Sequence, residues 1–248
     1  MKGLWAALAF LTRLPLPAPT SPAMAASLPW FPVVGALLGL FAAILYAVAR
    51  LALPSLVAAA LAIAAVILVT GVLHEDGLAD SADAWGGGAS REETLRILRD
   101  PEHGTYAVLA LVLSVLLRAA ALASLTPLAA VAILPAVHAI SRGGLVGLLA
   151  ATPAARDDGL ASGFASLASA RQSAITLVVT AAFGVALLGP WFIPVAGLVI
   201  AISWLVRRLA VRRIGGITGD VLGAAQQLNE IALLVLFASL GGAGWMAR

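Results

Sequence analysis

The chain has 248 residues, 62% of them hydrophobic and only 11% charged, with a mean hydropathy of +1.04. A water-soluble domain is near half apolar and about a quarter charged, so this composition excludes an ordinary soluble globule and makes lipid the solvent. The pI near 10.2 suggests nucleic acid, but the net charge is only +3, and the basic residues serve better as markers of membrane topology. With no cysteine, disulfides, thiolate metal sites and a Cys nucleophile are excluded.

The chain opens with Lys2, the apolar run Leu4–Leu11, Arg13 and a proline-rich stretch. That run is too short to span and is expected to lie in the interface or re-enter. Lacking a small-residue cleavage site, it reads as mature protein and not as signal peptide. The prolines at 15, 17, 19, 22, 29 and 32 forbid continuous helix there. Seven apolar runs follow, roughly 33–53, 54–73, 104–125, 127–150, 174–189, 190–206 and 229–246, near the about 20 residues a span needs. Helix is the assignment lipid allows, since an open strand leaves backbone groups unpaired. The expectation is one all-α domain over 1–248, a polytopic transmembrane bundle of about seven spans. Gly35/Gly39 and Gly143/Gly147 have the spacing that lets helix backbones approach closely.

The charges orient this bundle. Arg91, Arg96, Arg99, Arg156, Arg171, Arg207, Arg208, Arg212 and Arg213 follow the second, fourth and sixth spans, and Lys2 and Arg13 join them; only Arg50 and Arg248 face the other way. By the positive-inside rule the arginine-rich side is cytoplasmic, with an acidic loop at 74–103, a second motif at 207–230, and Arg248 outside. Of the twelve acids, eight lie in 74–102, and Glu230 falls at the start of the expected last span.

The acidic block reads His74-Glu75-Asp76-Gly77-Leu78-Ala79-Asp80-Ser81-Ala82-Asp83. Asp76, Asp80 and Asp83 are spaced i, i+4, i+7, on one helical face within about 60° of arc. Three stacked carboxylates repel unless a cation sits among them, and hard oxygen donors suit Mg²⁺ or Mn²⁺ better than zinc. Ser90 and Glu93 form a capping box, which predicts a helix from Arg91 to about Arg99. The preceding Gly86-Gly87-Gly88 suits either a phosphate cradle or a plain turn. Asp100-Pro101-Glu102-His103-Gly104 then breaks the helix before the third span. Near the other end stands Gly215-Gly216-Ile217-Thr218-Gly219-Asp220-Val221-Leu222-Gly223. Either Thr218 or Asp220 can cap a helix running to Glu230, and an Asp among glycines beside arginines suits a metal–phosphate complex. Arg118 and Arg142 lie within apolar runs, where arginine needs a partner or a route to water. A partner inside the bundle is expected for Arg118; for Arg142 function and snorkelling stand level. His138 reads as a hydrogen-bonded interior histidine.

These stretches resemble the cobalamin synthase family, adenosylcobinamide-GDP ribazoletransferases, over nearly the whole chain: Phe10-Leu11-Thr12-Arg13-Leu14-Pro15, His74 to Gly88, Asp100 to Tyr106, Ala155-Arg156 with Gly159, and Gly215 to Gly223. The resemblance implies a metal-dependent enzyme of the bacterial inner membrane with its active site on the cytoplasmic face. It would join adenosylcobinamide-GDP to α-ribazole, or its 5′-phosphate, and release GMP late in vitamin B12 synthesis. Phosphoryl transfer asks for positioning and charge stabilisation. On that reading Asp76, Asp80, Asp83 and Asp220 hold Mg²⁺ or Mn²⁺, and Asp100 completes the catalytic set with His74 orienting a carboxylate or phosphate. Arg13, Arg142, Arg156, Gly216, Thr218 and Gly219 would meet the substrates. No nucleic acid is implied; lipid surrounds the chain, and a homo-oligomer or association with other cobalamin-assembly enzymes is open to it.

Some residues depart from the family pattern. Glu75 replaces an apolar residue, Pro101-Glu102-His103 replaces Ser-Arg-Ile, and Gln227 stands where an acid is usual. Two other classes compete. A CDP-alcohol phosphotransferase has an Ala-Arg pair directly after its Asp-Gly, which is absent here. An ion-coupled transporter would place carboxylates near mid-membrane, whereas no acid is expected mid-span.

Overall fold

Large apolar side chains on the outer surface identify the solvent this fold is built for. Leu51, Leu68 and Ile193 are 86%, 76% and 77% exposed, which water would not tolerate in such numbers beside Leu37, Ile44, Leu109 and Leu116. The computed structural model describes residues 2–17, 19–20, 23–24, 26–167 and 169–241, which contain eleven α-helices and no strand. Pro22 and Arg248, used above, lie outside the described residues.

Helix α1 (Lys2–Leu11) is short, as expected, and precedes α2 (Phe31–Ala49), which starts at Pro32 where a missing N–H costs nothing. Helix α3 (Ser55–Thr70) ends in a left-handed pair, Gly71 (φ 63°) and Val72 (φ 60°). The Val72 N–H reaches back to the Ile67 carbonyl, a Schellman closure that obliges a β-branched residue to adopt a conformation it resists. The chain leaves this turn at 91° into α4 (Leu73–Gly87). At fifteen residues, with four acids, α4 is too short and too charged to cross a bilayer and runs across the bundle. Helix α5 (Arg91–Ile97) is capped by Ser90, which accepts from the Glu93 N–H at 3.1 Å.

The long helices α6 (Thr105–Ala123) and α7 (Pro127–Ala151) follow. Helix α2 packs on α7 through both predicted glycines: a Cβ at Gly35 or Gly39 would strike the carbonyl of His138 or Leu134. After the short α8 (Leu160–Leu167) come α9 (Ala170–Leu188) and α10 (Phe192–Ile214), then α11 (Gly219–Ser239).

Five stretches are long and apolar enough to cross a membrane, Leu28–Ala49, Thr105–Ala123, Pro127–Ala151, Ala170–Ile214 and Gly219–Ser239, and a sixth if α3 and α4 count as one broken span. The expected seven is not established. Two expected spans share the 45-residue stretch Ala170–Ile214, broken at Gly189–Trp191. Its two arms fold back on each other. Ala170 borders a cavity with Ala151–Pro153, and Arg207 Nε donates to the Ala151 carbonyl at 3.1 Å. The last span begins at Gly219, not near 229, so Glu230 is a mid-helix residue. The expectation that no acid lies mid-span is therefore corrected.

Glu230 is tolerated because it is paired. Arg118 Nη1 lies 3.1 Å from both Glu230 Oε1 and Glu75 Oε1. Arg142 Nη1 lies 3.7 Å from Glu230 Oε2, and His138 Nδ1 3.4 Å from the same oxygen. Gln226 donates to Glu230 at 2.7 Å, and Gln227 to Glu75 at 3.1 Å. Two guanidiniums balance two carboxylates, and the network ties α4 to α6, α7 and α11.

The loops expected on one face do gather there. Arg91 donates to the Ile214 and Ala155 carbonyls, Arg213 to Gly88, and Ala155 N–H to Ile217. Arg99 and Asp158 pair at 2.8 Å. Segments from 88 to 217 are thus stitched at one end of the bundle.

Candidate active site

Helix α4 presents Asp76 and Asp80 on its outer face, one turn apart, while the same helix buries Glu75 in the network beneath. The loop after α5 brings His103 over them, its Nδ1 3.6 Å from Asp80 Oδ1. One ligand atom from each of Asp76, Asp80 and His103 lies within 4.8 Å of the others, and this is the metal-capable group among the described residues. His103 was missed as a site residue; nothing local marks it, because only the fold of the 98–104 loop puts it above α4.

Asp83 shares the helical face but is engaged elsewhere. Its two oxygens accept the N–H groups of Gly104 and Ala107, satisfying donors at the start of α6 that have no helical partner. Asp83 thus holds the start of α6. Asp100 likewise accepts from the Glu102 N–H at 3.1 Å and faces Arg96 at 3.8 Å, shaping the turn that delivers His103.

Asp220 arrives from the far end of the chain through a glycine seam. Gly77 on α4 and Gly223 on α11 meet so closely that a Cβ at Gly77 would lie 2.6 Å from the Asp220 carbonyl oxygen. A Cβ at Gly223 would lie 3.3 Å from the Gly77 Cα. The cap of α11 is Thr218, whose oxygen accepts the Val221 N–H at 3.3 Å. Its hydroxyl in turn donates to Asp220 Oδ2 at 3.1 Å. Asp220 is thus not the cap, and it lies within electrostatic reach of Asp76 and Asp80.

The remaining expected contacts divide. Thr218 is buried and engaged as cap, and Gly216 is fixed by the Pro153–Ala155 strand-like contact, where a Cβ would meet Ala154 at 2.8 Å. Neither is open to substrate. Arg142 is 1% exposed inside the ion network, where its Nη1 faces Glu230. Gly219 and His74 border a small apolar cavity of about 40 Å³ with Phe10, Phe31 and Phe164; His74 is buried and does not reach the carboxylates' outer face. Arg13 is exposed, folded over Gly71 at the bend into α4, without a carboxylate partner among the described residues. Arg156 lies within electrostatic reach of Asp220. Its Nε and Nη1 are buried without a hydrogen-bond partner, and Asp158 is 3.5 Å away. Of the Gly86–Gly88 run, Gly86 and Gly87 are the last residues of α4 and Gly88 is its extended C-cap, packed on Tyr106 and Thr94.

The electrostatics fit a cation. Burial, then the carboxylates of Asp76 and Asp220, push Asp80 up to about 6, because adjacent negative charges oppose its ionisation. A divalent ion among them reverses that sign. The carboxylates of Asp76 and Asp80 are hard donors, whereas the His103 imidazole is a borderline one, and Arg156 offers N–H groups without a hydrogen-bond partner alongside.

Fold and site define a polytopic helical membrane protein with a carboxylate-lined polar centre at one end of its bundle. Over residues 3–238 the chain matches the family described as cobalamin-5-phosphate synthase, and it belongs to that family. A Bradyrhizobium diazoefficiens relative named adenosylcobinamide-GDP ribazoletransferase is 44% identical over 94% of this chain and 92% of its own. Relatives of the same name from Mesorhizobium japonicum, 42% identical over 92% and 90%, and Alkalilimnicola ehrlichii, 43% over 95% and 94%, agree. No solved structure matches the chain.

Proposed function

We propose that this chain is an adenosylcobinamide-GDP ribazoletransferase. It joins adenosylcobinamide-GDP to α-ribazole or α-ribazole 5′-phosphate and releases GMP. A ribose hydroxyl oxygen of the ribazole bonds to the cobinamide-linked phosphorus, the bond from that phosphorus to the bridging oxygen breaks, and the oxygen leaves with GMP. The observation that carries the reading is the meeting of Asp76 and Asp80 with Asp220 and Arg156, from opposite ends of the chain, at one polar centre. Asp76, Asp80 and Asp220 would hold Mg²⁺ or Mn²⁺, with His103 at its edge. When bound, the cation neutralises charge on the diphosphate. Arg156 binds a phosphate oxygen through its unmet N–H groups, and Arg13 supplies a second cation near the bend. The glycine seam keeps α11 close enough for Asp220 to reach the centre.

The arginine asymmetry supports a cytoplasmic site in a bacterial inner membrane. Glu230, though mid-helix, does not revive a transporter, because Arg118 and Arg142 neutralise it in place. The test is GMP release by purified protein in detergent with adenosylcobinamide-GDP, α-ribazole and Mg²⁺. Release that needs all three supports the reading; none under any divalent cation rejects it.

A further inference from the structure

A spacious crevice lies away from the acidic centre. Helices α7, α9 and α10 part to leave a crevice of about 570 Å³ between Gly144 and Gly147 on one wall and Ala181 and Ala196 on the others. Its walls are apolar in effect. Thr180 spends its hydroxyl on the Thr176 carbonyl at 2.7 Å, and Ser203 accepts from Asn229 at 3.4 Å. Between Phe192 and Ser203 the lining is otherwise apolar, with Val199 and Ile200 on α10 facing Ile140 and Leu148 on α7.

The crevice runs from Phe192 to Arg207 along α10, about 22 Å at a helical rise of 1.5 Å per residue. One leaflet is about 15 Å of hydrocarbon, half of the roughly 30 Å core, so a full acyl chain fits along it. The two ends differ in chemistry. Phe192 closes one, its ring against Gly184. Arg207 stands at the other, held by its Nε–Ala151 bond, next to half-exposed Trp204 with the Arg208 guanidinium 5.3 Å from its ring centroid. A tryptophan at this level marks the headgroup zone. Neither Arg207 nor Arg208 has a carboxylate partner among the described residues, in contrast to Arg99, Arg118 and Arg156. An apolar slot of one chain's length with two unneutralised cations at its mouth is complementary to an anionic amphiphile.

We propose that this crevice binds one anionic phospholipid from the leaflet on the acidic-site side. One acyl chain lies between α7, α9 and α10, and the phosphate sits on Arg207 and Arg208. The lipid wedges the α9–α10 hairpin against α7.

Full-length protein in detergent, titrated with phosphatidylglycerol and phosphatidylcholine and read by native mass spectrometry, tests this. One phosphatidylglycerol per chain should survive activation that strips phosphatidylcholine. Arg207→Gln and Arg208→Gln should each reduce that preference roughly fivefold, and Ala196→Phe, which fills the slot, should abolish tight retention of either lipid. Equal retention of the two lipids by the unaltered protein overturns the proposal, as does phosphatidylglycerol retention unchanged in the arginine variants. A dimer that Ala196→Phe dissociates would make a second copy the occupant and overturn it too. Should Ala196→Phe misfold, the arginine variants, altered only at the crevice mouth, decide alone.

Discussion

Asp80 and Asp83 look interchangeable on a helical wheel, yet the structure gives them different work. Asp83 satisfies the Gly104 and Ala107 N–H groups, so Asp83→Asn, which keeps one acceptor, should lower stability by about 1 kcal/mol and retain most turnover. Asp80→Asn should instead cost orders of magnitude in metal-dependent GMP release while the protein still inserts. Asp80 also makes the metal-free protein pH-sensitive. Its folded-state value of about 6 lies above the 3.8 of the free group, so above pH 6 the ionised carboxylate opposes folding. That penalty fades as pH falls through 6 and is gone below about 4, where both states hold the proton. With divalent ions chelated, thermal unfolding should therefore move to higher temperature between pH 7 and pH 5. Solvent screening of this partly exposed group limits the gain to about 1 kcal/mol. Asp80→Asn should flatten the change; an equally steep profile in the variant would place the titration elsewhere.

Between elements, the decisive contacts are one ion network and one glycine seam. Arg118, 2% exposed, bridges Glu75 on α4 and Glu230 on α11. Removing it leaves two buried carboxylates with less compensation, and Arg118→Ala should destabilise by about 3–5 kcal/mol. Arg118→Met with Glu75→Gln should recover most of that loss, since the neutral pair needs no counter-charge and Glu230 keeps Arg142 as its own. Denaturation in mixed micelles distinguishes the two; no recovery would mean that Arg118 acts mainly through shape. At the seam, Gly77→Ala would push α11 off α4, because the new methyl meets the Asp220 carbonyl at 2.6 Å. Overpacking of this kind costs about 1–3 kcal/mol, and turnover should fall further than stability because Asp220 moves with the helix. A variant with full GMP release and unchanged stability would show that the seam can open without moving the site.

At the scale of the whole molecule, the arginine-rich loops converge on one end, stitched by Arg91, Arg99 and Arg213. Their side of the membrane is directly measurable, since the chain has no native cysteine. Single cysteines at Ala89 and Arg212 should resist an impermeant reagent in intact cells and react after permeabilisation. A cysteine at Leu51, 86% exposed at the opposite end, should react from outside. Labelling of Ala89 from outside would invert the orientation and move the site to the other face.

What the sequence determined by itself follows from composition and local pattern. Lipid as solvent, the helical class, the short first helix, the Ser90 cap and the close glycine contacts at Gly35 and Gly39 each depend on residues a few positions apart. The family, too, was legible in the acidic block and the Gly215–Gly223 stretch. Tertiary structure decided what depends on distant partners. The Gly104 and Ala107 N–H groups fold onto Asp83, and the loop after α5 lays His103 beside Asp80. Arg142 was drawn inward by Glu230, whose own place became visible only when α11 proved to start at Gly219. Hydropathy missed that start: the polar first turns of α11 face other helices and the ion network, where lipid never meets them. A sequence records which side chains are polar, whereas the partner that satisfies each one is chosen by the packing of segments 21 to 112 residues apart.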